Sequence, residues 1–230
     1  MSGLWDLVIH SELTEATADD AIRLEQARPL PPGRKLEWKV YGHDRPSDLG
    51  ERLRKAGFAP EDSETLVLLD LAAAFPDTPL PAGITIRSAA DRAGLADVAA
   101  VGLRAFGEDY SSMTDDFLAR VEHGTVFFFV AYANAEPVAA ARLEMSASRE
   151  FAWLFGGGTV PEHRGRGIYR ALVGARVRAA QARGYRYATV EARPTSLPIL
   201  RRLGFVPLDQ RHGLDLAAAG GRRELAQGVC

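Results

Sequence analysis

Residues 151–183, FAWLFGGGTVPEHRGRGIYRALVGARVRAAQAR, decide the fold. Phe151 to Val160 is apolar with aromatic and β-branched residues, which suits a buried strand, although Gly156, Gly157 and Gly158 interrupt it. Glycine is tolerated in a strand that bulges, splays or lets another group approach its backbone closely. After Pro161, the run Arg164-Gly165-Arg166-Gly167-Ile168-Tyr169 leads into Ile168, Ala171, Leu172, Ala175, Ala179 and Ala182, the apolar stripe of an amphipathic helix. Gly184 closes that helix.

A helix entered through Arg-Gly-x-Gly leaves its first backbone N–H groups unhindered, at the positive end of the helix dipole and beside two guanidinium groups. That combination predicts a cradle for a diphosphate. An ordinary turn that uses glycine for positive φ is the plainer alternative. The P-loop pattern requires Gly-Lys-Ser/Thr, and the dinucleotide fingerprint requires Gly-x-Gly-x-x-Gly with a later acidic residue; the turn carries neither.

The segment resembles the acetyl-CoA-binding motif of the GNAT superfamily of N-acetyltransferases, Gln/Arg-x-x-Gly-x-Gly/Ala. Arg164 matches the first position and Gly167 the fourth, while Tyr169 stands where Gly or Ala is usual. The likeness extends through Tyr187 to Phe205, a strand, a short helix and Leu-Gly-Phe, and covers roughly residues 84–216. It implies an α/β (α+β) mixed sheet of the GNAT acyl-CoA N-acyltransferase fold, with acetyl-CoA as co-substrate and no metal. It further implies that the cofactor lies where the fourth and fifth strands diverge, on Gly158, Thr159, Val160, Arg164, Gly165, Arg166, Gly167, Ile168 and Tyr169, with Arg193 and Ser196 adjoining.

The 230-residue chain allows one large domain or two small ones, and its net charge of −2 gives no general attraction to nucleic acid or anionic membrane. Arginine is locally dense from Arg164 to Arg202, which fits a phosphate-rich ligand better than a polymer. A single cysteine, Cys230, excludes an internal disulfide and argues against a cysteine-based metal site; at the end of the chain it reads as a frayed terminus and a poor nucleophile. No apolar run is long enough for a membrane span, and Met1 to Trp5 begins no signal peptide, so a cytoplasmic location is expected.

The first part of the chain reads as a short apolar run from Leu4 to Ile9, a helical pattern through Leu24, a Pro-rich stop at 29–33 and a strand Leu36–Tyr41. Then Arg45-Pro46-x-x-Leu49 ending in Gly57-Phe58 parallels Arg193-Pro194-x-x-Leu197 ending in Gly204-Phe205, each between two strands. Residues 1–71 are therefore expected to form a smaller, degenerate GNAT-like N-terminal half, residues 72–83 (AAAFPDTPLPAG) a linker, and residues 84–230 the GNAT domain. Within the latter the pattern runs β-α-α-β-β-β-α-β-α-β, with Asp91 capping the first helix. The loop Phe106–Ser112 joins its first two helices, a connection that in GNAT enzymes borders the acceptor site.

Acyl transfer to an amine needs a held donor, a neutral amine, an oxyanion stabiliser and a proton for the departing thiolate. Glu150 and Glu191, with Glu144, are candidate bases beside the central strands; Glu108 and Asp109 are placed to attract a cationic acceptor, and His163 lies on the phosphate side. Many GNAT enzymes supply the acid from a Tyr in Asn-x-x-Ala-x-x-x-Tyr-x-x-x-Gly-Phe. Aligned on Gly204-Phe205, those positions hold Arg193, Ser196 and Leu200, so the phenol is missing. Tyr169, Tyr185 and Tyr187 are the substitutes, and Tyr169 is the one taken with Glu150 and Glu191 as catalytic. The resemblance thus implies direct ternary-complex transfer of an acetyl group to a primary amine of a small molecule or protein. A catalytically weak acyl-CoA-binding or protein-interaction module is the alternative, and a homodimer is left open.

Overall fold

The computed structural model describes residues 5–30 and 34–216. Cys230 and the Pro31–Gly33 part of the helix stop lie outside the described residues. In chain order the first elements are β1 (Trp5–Val8), α1 (Ala18–Ala27), β2 (Lys35–Tyr41), α2 (Leu49–Lys55), β3 (Ala59–Pro60) and β4 (Glu64–Asp70). There follow β5 (Ile84–Ala89), α3 (Arg92–Phe106), α4 (Thr114–Glu122), β6 (Val126–Ala133), β7 (Glu136–Met145) and β8 (Phe151–Thr159). The last described elements are α5 (Ile168–Gln181), β9 (Tyr187–Ala192), α6 (Leu197–Arg202) and β10 (Val206–Leu216).

These elements pack into two compact units, one from Thr65 to Leu208 and one formed by residues up to Glu64 together with those from Asp209 onward. The boundaries differ from the three-part division at 71 and 84. β4 pairs antiparallel with β9, while β10 pairs antiparallel with β2. Each unit is thus completed by the strand that follows the other unit's strand–helix turn. Residues 72–83 are no free linker either: Phe75 packs on the core of the larger unit, and Thr78 is buried against α5, where it accepts a hydrogen bond from Arg178 Nη1 at 3.0 Å. Pro and Ala composition marks a break in regular structure, and tertiary packing decides whether such a segment is tethered.

In the smaller unit β1 pairs parallel with β2, β10 pairs antiparallel with β2, and β3 adds to β10. Ile22, Leu36, Trp38, Leu49, Leu53, Phe58 and Leu214 form its core. The helices α2 and α6 end in the same glycine turn, which also closes α4 and α5. Phe58 N donates to Leu53 O at 3.0 Å after Gly57 at φ 93°, and Phe205 N donates to Leu200 O at 3.1 Å after Gly204 at φ 92°. Leu53 and Leu200 are both fully buried.

The larger unit holds a sheet in the order β4-β9-β8-β7-β6-β5, antiparallel except for the parallel pair β8–β9. Alternate residues of β7, β8 and β9, among them Leu143, Leu154, Ala188 and Val190, pack with Val173 and Val177 of α5. Asp91 caps α3 by accepting from Gly94 N at 2.8 Å, as its position predicts. Two irregularities of β8 position the site. Gly156 and Gly157 together oppose Ala141, a bulge flanked by the pairs Ala140↔Gly158 and Arg142↔Phe155. The pairing of β8 with β9 covers Phe151↔Tyr187 to Trp153↔Thr189 and goes no further, so from Leu154 onward the strands part.

Candidate active site

The opening between β8 and β9 leads to the N-terminus of α5. Gly165 and Gly167 hold φ of 73° and 81°, a left-handed conformation that turns the chain from Arg164 into the helix. Among the described residues, none of the backbone N–H groups from Gly165 to Arg170 has an acceptor, and Ala171 N, bonded to Gly167 O at 3.1 Å, is the first to be engaged. No side chain caps the helix. Nothing lies within 4 Å of a Cβ built on Gly165, and on Gly167 only Pro81 Cγ at 3.8 Å and Arg170 Nη2 at 3.9 Å. Successive free amides at the positive end of a helix make an anion site.

The arginines of the turn are arranged differently from the sequence expectation. Arg164 turns back, with Nε donating to Thr159 O at 3.0 Å and Nη2 to Ala105 O at 3.3 Å, so it ties β8 to the end of α3. Arg166 donates to His163 Nδ1 at 3.0 Å. The cation lying against Gly167 is Arg170, which motif matching does not single out because it sits inside the helix.

Gly158 is buried under the ring of Phe106; a Cβ there would lie 2.6 Å from Phe106 Cε2. Thr159 Oγ1 is buried with no hydrogen-bond partner. Val160 is buried and spent, its N–H donating to Val138 O at 2.9 Å. Arg193 stands over Phe106 at 5.7 Å, and Ser196 Oγ donates to Arg193 O at 3.1 Å in the turn after β9. The unpaired β8 edge, the orphaned Thr159 hydroxyl and the free amides from Gly165 to Arg170 together fit an elongated ligand with hydrogen-bonding groups and a diphosphate, which is the shape of acetyl-CoA.

The structure separates the candidate bases. Glu150 is exposed at the opposite end of β8, nine residues from Thr159 and so roughly 30 Å away at strand rise. It is not brought to the opening, because β8 runs between the two. Glu191 is half-buried near the C-terminal end of β9, two residues past the last β8–β9 pair, on the face opposite Val190 and α5. Phe155 occupies the corresponding place on β8. Glu144 is held by Arg120 at 2.6 Å and Arg142 at 2.8 Å.

Arg142 lies between the rings of Phe117 and Phe155, at 5.4 and 5.2 Å, and burial lowers its pKa below the usual guanidinium range. Its Nε–H makes no aligned hydrogen bond despite the nearby carboxylate. On the α3–α4 loop, Tyr110 donates to Glu108, and burial with that carboxylate raises the phenol pKa. Asp109 accepts from Ser111 N at 2.8 Å, which lowers its pKa.

Of the tyrosines, Tyr185 donates to Ser146 O at 2.7 Å and Tyr187 stacks on Phe151 at 5.6 Å, both at the end of the sheet remote from the turn. Tyr169 projects from the first turn of α5 to the bulge, where a Cβ on Gly157 would come 3.0 Å from Tyr169 Cε2 and 3.1 Å from Arg176 Nη2. Leu200 is fully buried in the core. Arg176 is absent from the sequence reading, and Phe106 enters it only as the start of the loop between the first two helices of the larger unit. Arg176 carries a usable signal, since a charge at four-residue spacing from Ile168 and Leu172 falls on the buried stripe.

Residues 98–205 match the family model of the acetyltransferase (GNAT) family. Among solved structures, the chain is similar to a GCN5-related N-acetyltransferase from Kribbella flavida, with a TM-score of 0.67 and 19% identity over 96% of this chain and 84% of that one. It is also similar to a tandem GNAT protein from the clavulanic acid biosynthesis pathway, with a TM-score of 0.59 and 19% identity over 90% and 70% of the two chains. A GCN5-related N-acetyltransferase from Sphaerobacter thermophilus gives a TM-score of 0.57 and 23% identity over 84% and 62%. At such identities the likeness concerns the fold, and the mixed sheet with its flanking helices is the GNAT fold. No curated protein matches the sequence. Among the described residues, no helix is long and apolar enough to cross a membrane, and no group of three or more His, Cys, Asp or Glu side chains could hold a metal ion.

Proposed function

We propose that the larger unit is an acetyl-CoA-dependent N-acetyltransferase acting on a primary amine by direct transfer within a ternary complex. The observation that carries this is the run of unengaged amides from Gly165 to Arg170 at the mouth of the β8–β9 opening. Acetyl-CoA bound there supplies an acyl group activated as a thioester. Gly165 to Arg170 hold its diphosphate, with Arg170 adding charge, and the β8 edge with Thr159 aligns the arm. Phe106, Phe155, Tyr110 and Glu191 border the acceptor side, and Glu191 takes the proton that an alkylammonium must lose before it attacks.

Leu200, where a proton-donating Tyr is usual, favours a second reading, a binder of acyl-CoA without turnover. Calorimetric titration of acetyl-CoA, followed by thiol release over a panel of primary amines, separates the two: micromolar binding with release supports the transferase, binding alone supports the module, and no binding refutes both. The parallel punctuation of Arg45-Pro46 to Gly57-Phe58 and Arg193-Pro194 to Gly204-Phe205 supports the smaller unit as a degenerate GNAT-like half.

A further inference from the structure

Arg176 is 1% exposed, and among the described residues no carboxylate is within ion-pairing distance. Its donors are spent otherwise. Nε donates to Leu172 O at 3.2 Å, Nη1 reaches Phe155 O and Arg142 O at 3.4 Å, and Nη2 comes up to Gly157 beside the Tyr169 ring, the two lying 3.1 and 3.0 Å from a Cβ built there. The two strand carbonyls belong to the residues paired at the edge of the β7–β8 bulge. A buried, unneutralised cation is costly, and burial lowers the pKa of this one to about 10. Its position is matched by Gly157, where any larger residue would crowd both Tyr169 and Arg176.

Resting on the acetyltransferase function proposed above, we infer that Tyr169 is the proton donor to the departing thiolate and that Arg176 is its positioning residue. As the amine nitrogen bonds to the acyl carbon and the C–S bond breaks, sulfur takes the proton of the Tyr169 hydroxyl. The phenolate left behind is held by the Arg176 guanidinium until solvent reprotonates it, and the proton lost by the amine goes to Glu191. This arrangement accounts for a fully buried Leu200 where the family's phenol stands. It also accounts for a cation retained in the core without a partner of opposite charge. Both residues reach the bulge from α5.

The test combines binding and turnover. Affinities of CoA and of desulfo-CoA, which lacks the thiol, are measured by calorimetry on the full chain, wild type and Tyr169→Phe. Acetyl-CoA turnover is then followed with hydroxylamine, a small nucleophile that needs no acceptor pocket and little help from a base. Tyr169→Phe is expected to weaken CoA severalfold while leaving desulfo-CoA unchanged, and to lower kcat about 10²-fold. Arg176→Lys, which keeps the charge and loses the fork, is expected to lower kcat about tenfold with KM for acetyl-CoA unchanged, and to add nothing in the Tyr169→Phe background. Equal CoA affinity and full turnover in Tyr169→Phe, or independent effects of the two substitutions on kcat, would overturn the assignment. A wild type that binds neither CoA nor desulfo-CoA would instead refute the acetyltransferase function itself.

Discussion

Gly167 separates two contributions that usually fall together, backbone strain and charge at the anion site. At φ 81° any L-residue pays about 1–2 kcal/mol, whatever its side chain. Space is not limiting, since the nearest atoms to a Cβ there are at 3.8 and 3.9 Å. Gly167→Ala should therefore lower stability by about 1–2 kcal/mol and leave acetyl-CoA affinity within a fewfold of wild type. Gly167→Glu carries the same strain, offset by about 0.3–1 kcal/mol from a carboxylate at a helix N-terminus. That carboxylate also occupies the free amides and faces the diphosphate. At about 5 Å and an effective dielectric near 20, repulsion is about 3 kcal/mol per charge. Affinity should fall by two orders of magnitude or more. Urea denaturation and calorimetric titration of the same two proteins read the two effects separately. Comparable affinity for the Ala and Glu variants would refute the assignment of the anion site to this turn.

Two further outcomes follow from the placements above. Gly174→Ala puts a Cβ into the buried Thr78, 2.8 Å from its Cβ and closer still to its hydroxyl, so overpacking of about 1–3 kcal/mol should outweigh the helix-propensity gain of about 1 kcal/mol. Urea midpoints should show a net loss that shrinks in a Thr78→Ala background; an unaltered midpoint would mean that residues 72–83 do not pack on α5. Glu191→Gln should lower kcat by about 10²-fold at neutral pH with acetyl-CoA affinity unchanged, while Glu150→Gln should leave both untouched. The opposite ranking would show that the base approaches from the far end of β8.

What the sequence alone determined is local. The strand, glycine turn and helix from Phe151 to Arg183 follow from β-branched and aromatic residues, left-handed glycines and a 3.6-residue apolar stripe, all of which act within a few residues of chain. The Leu-Gly-Phe and Ala-Gly-Phe helix ends were legible for the same reason. Only the tertiary structure decided the rest. Glu150 and Glu191 look alike beside their strands, and the separation of roughly 30 Å between Glu150 and the turn appears only when β8 is laid out in register. Arg164, a motif residue, is spent on Thr159 O and Ala105 O because α3 ends beside it. β4 and β10 hydrogen-bond to strands far away in sequence, a choice made by long-range pairing that no local pattern encodes. Arg176 and Tyr169 meet at Gly157 because the bulge in β8 and the first three turns of α5 converge there, and that convergence is a property of the fold.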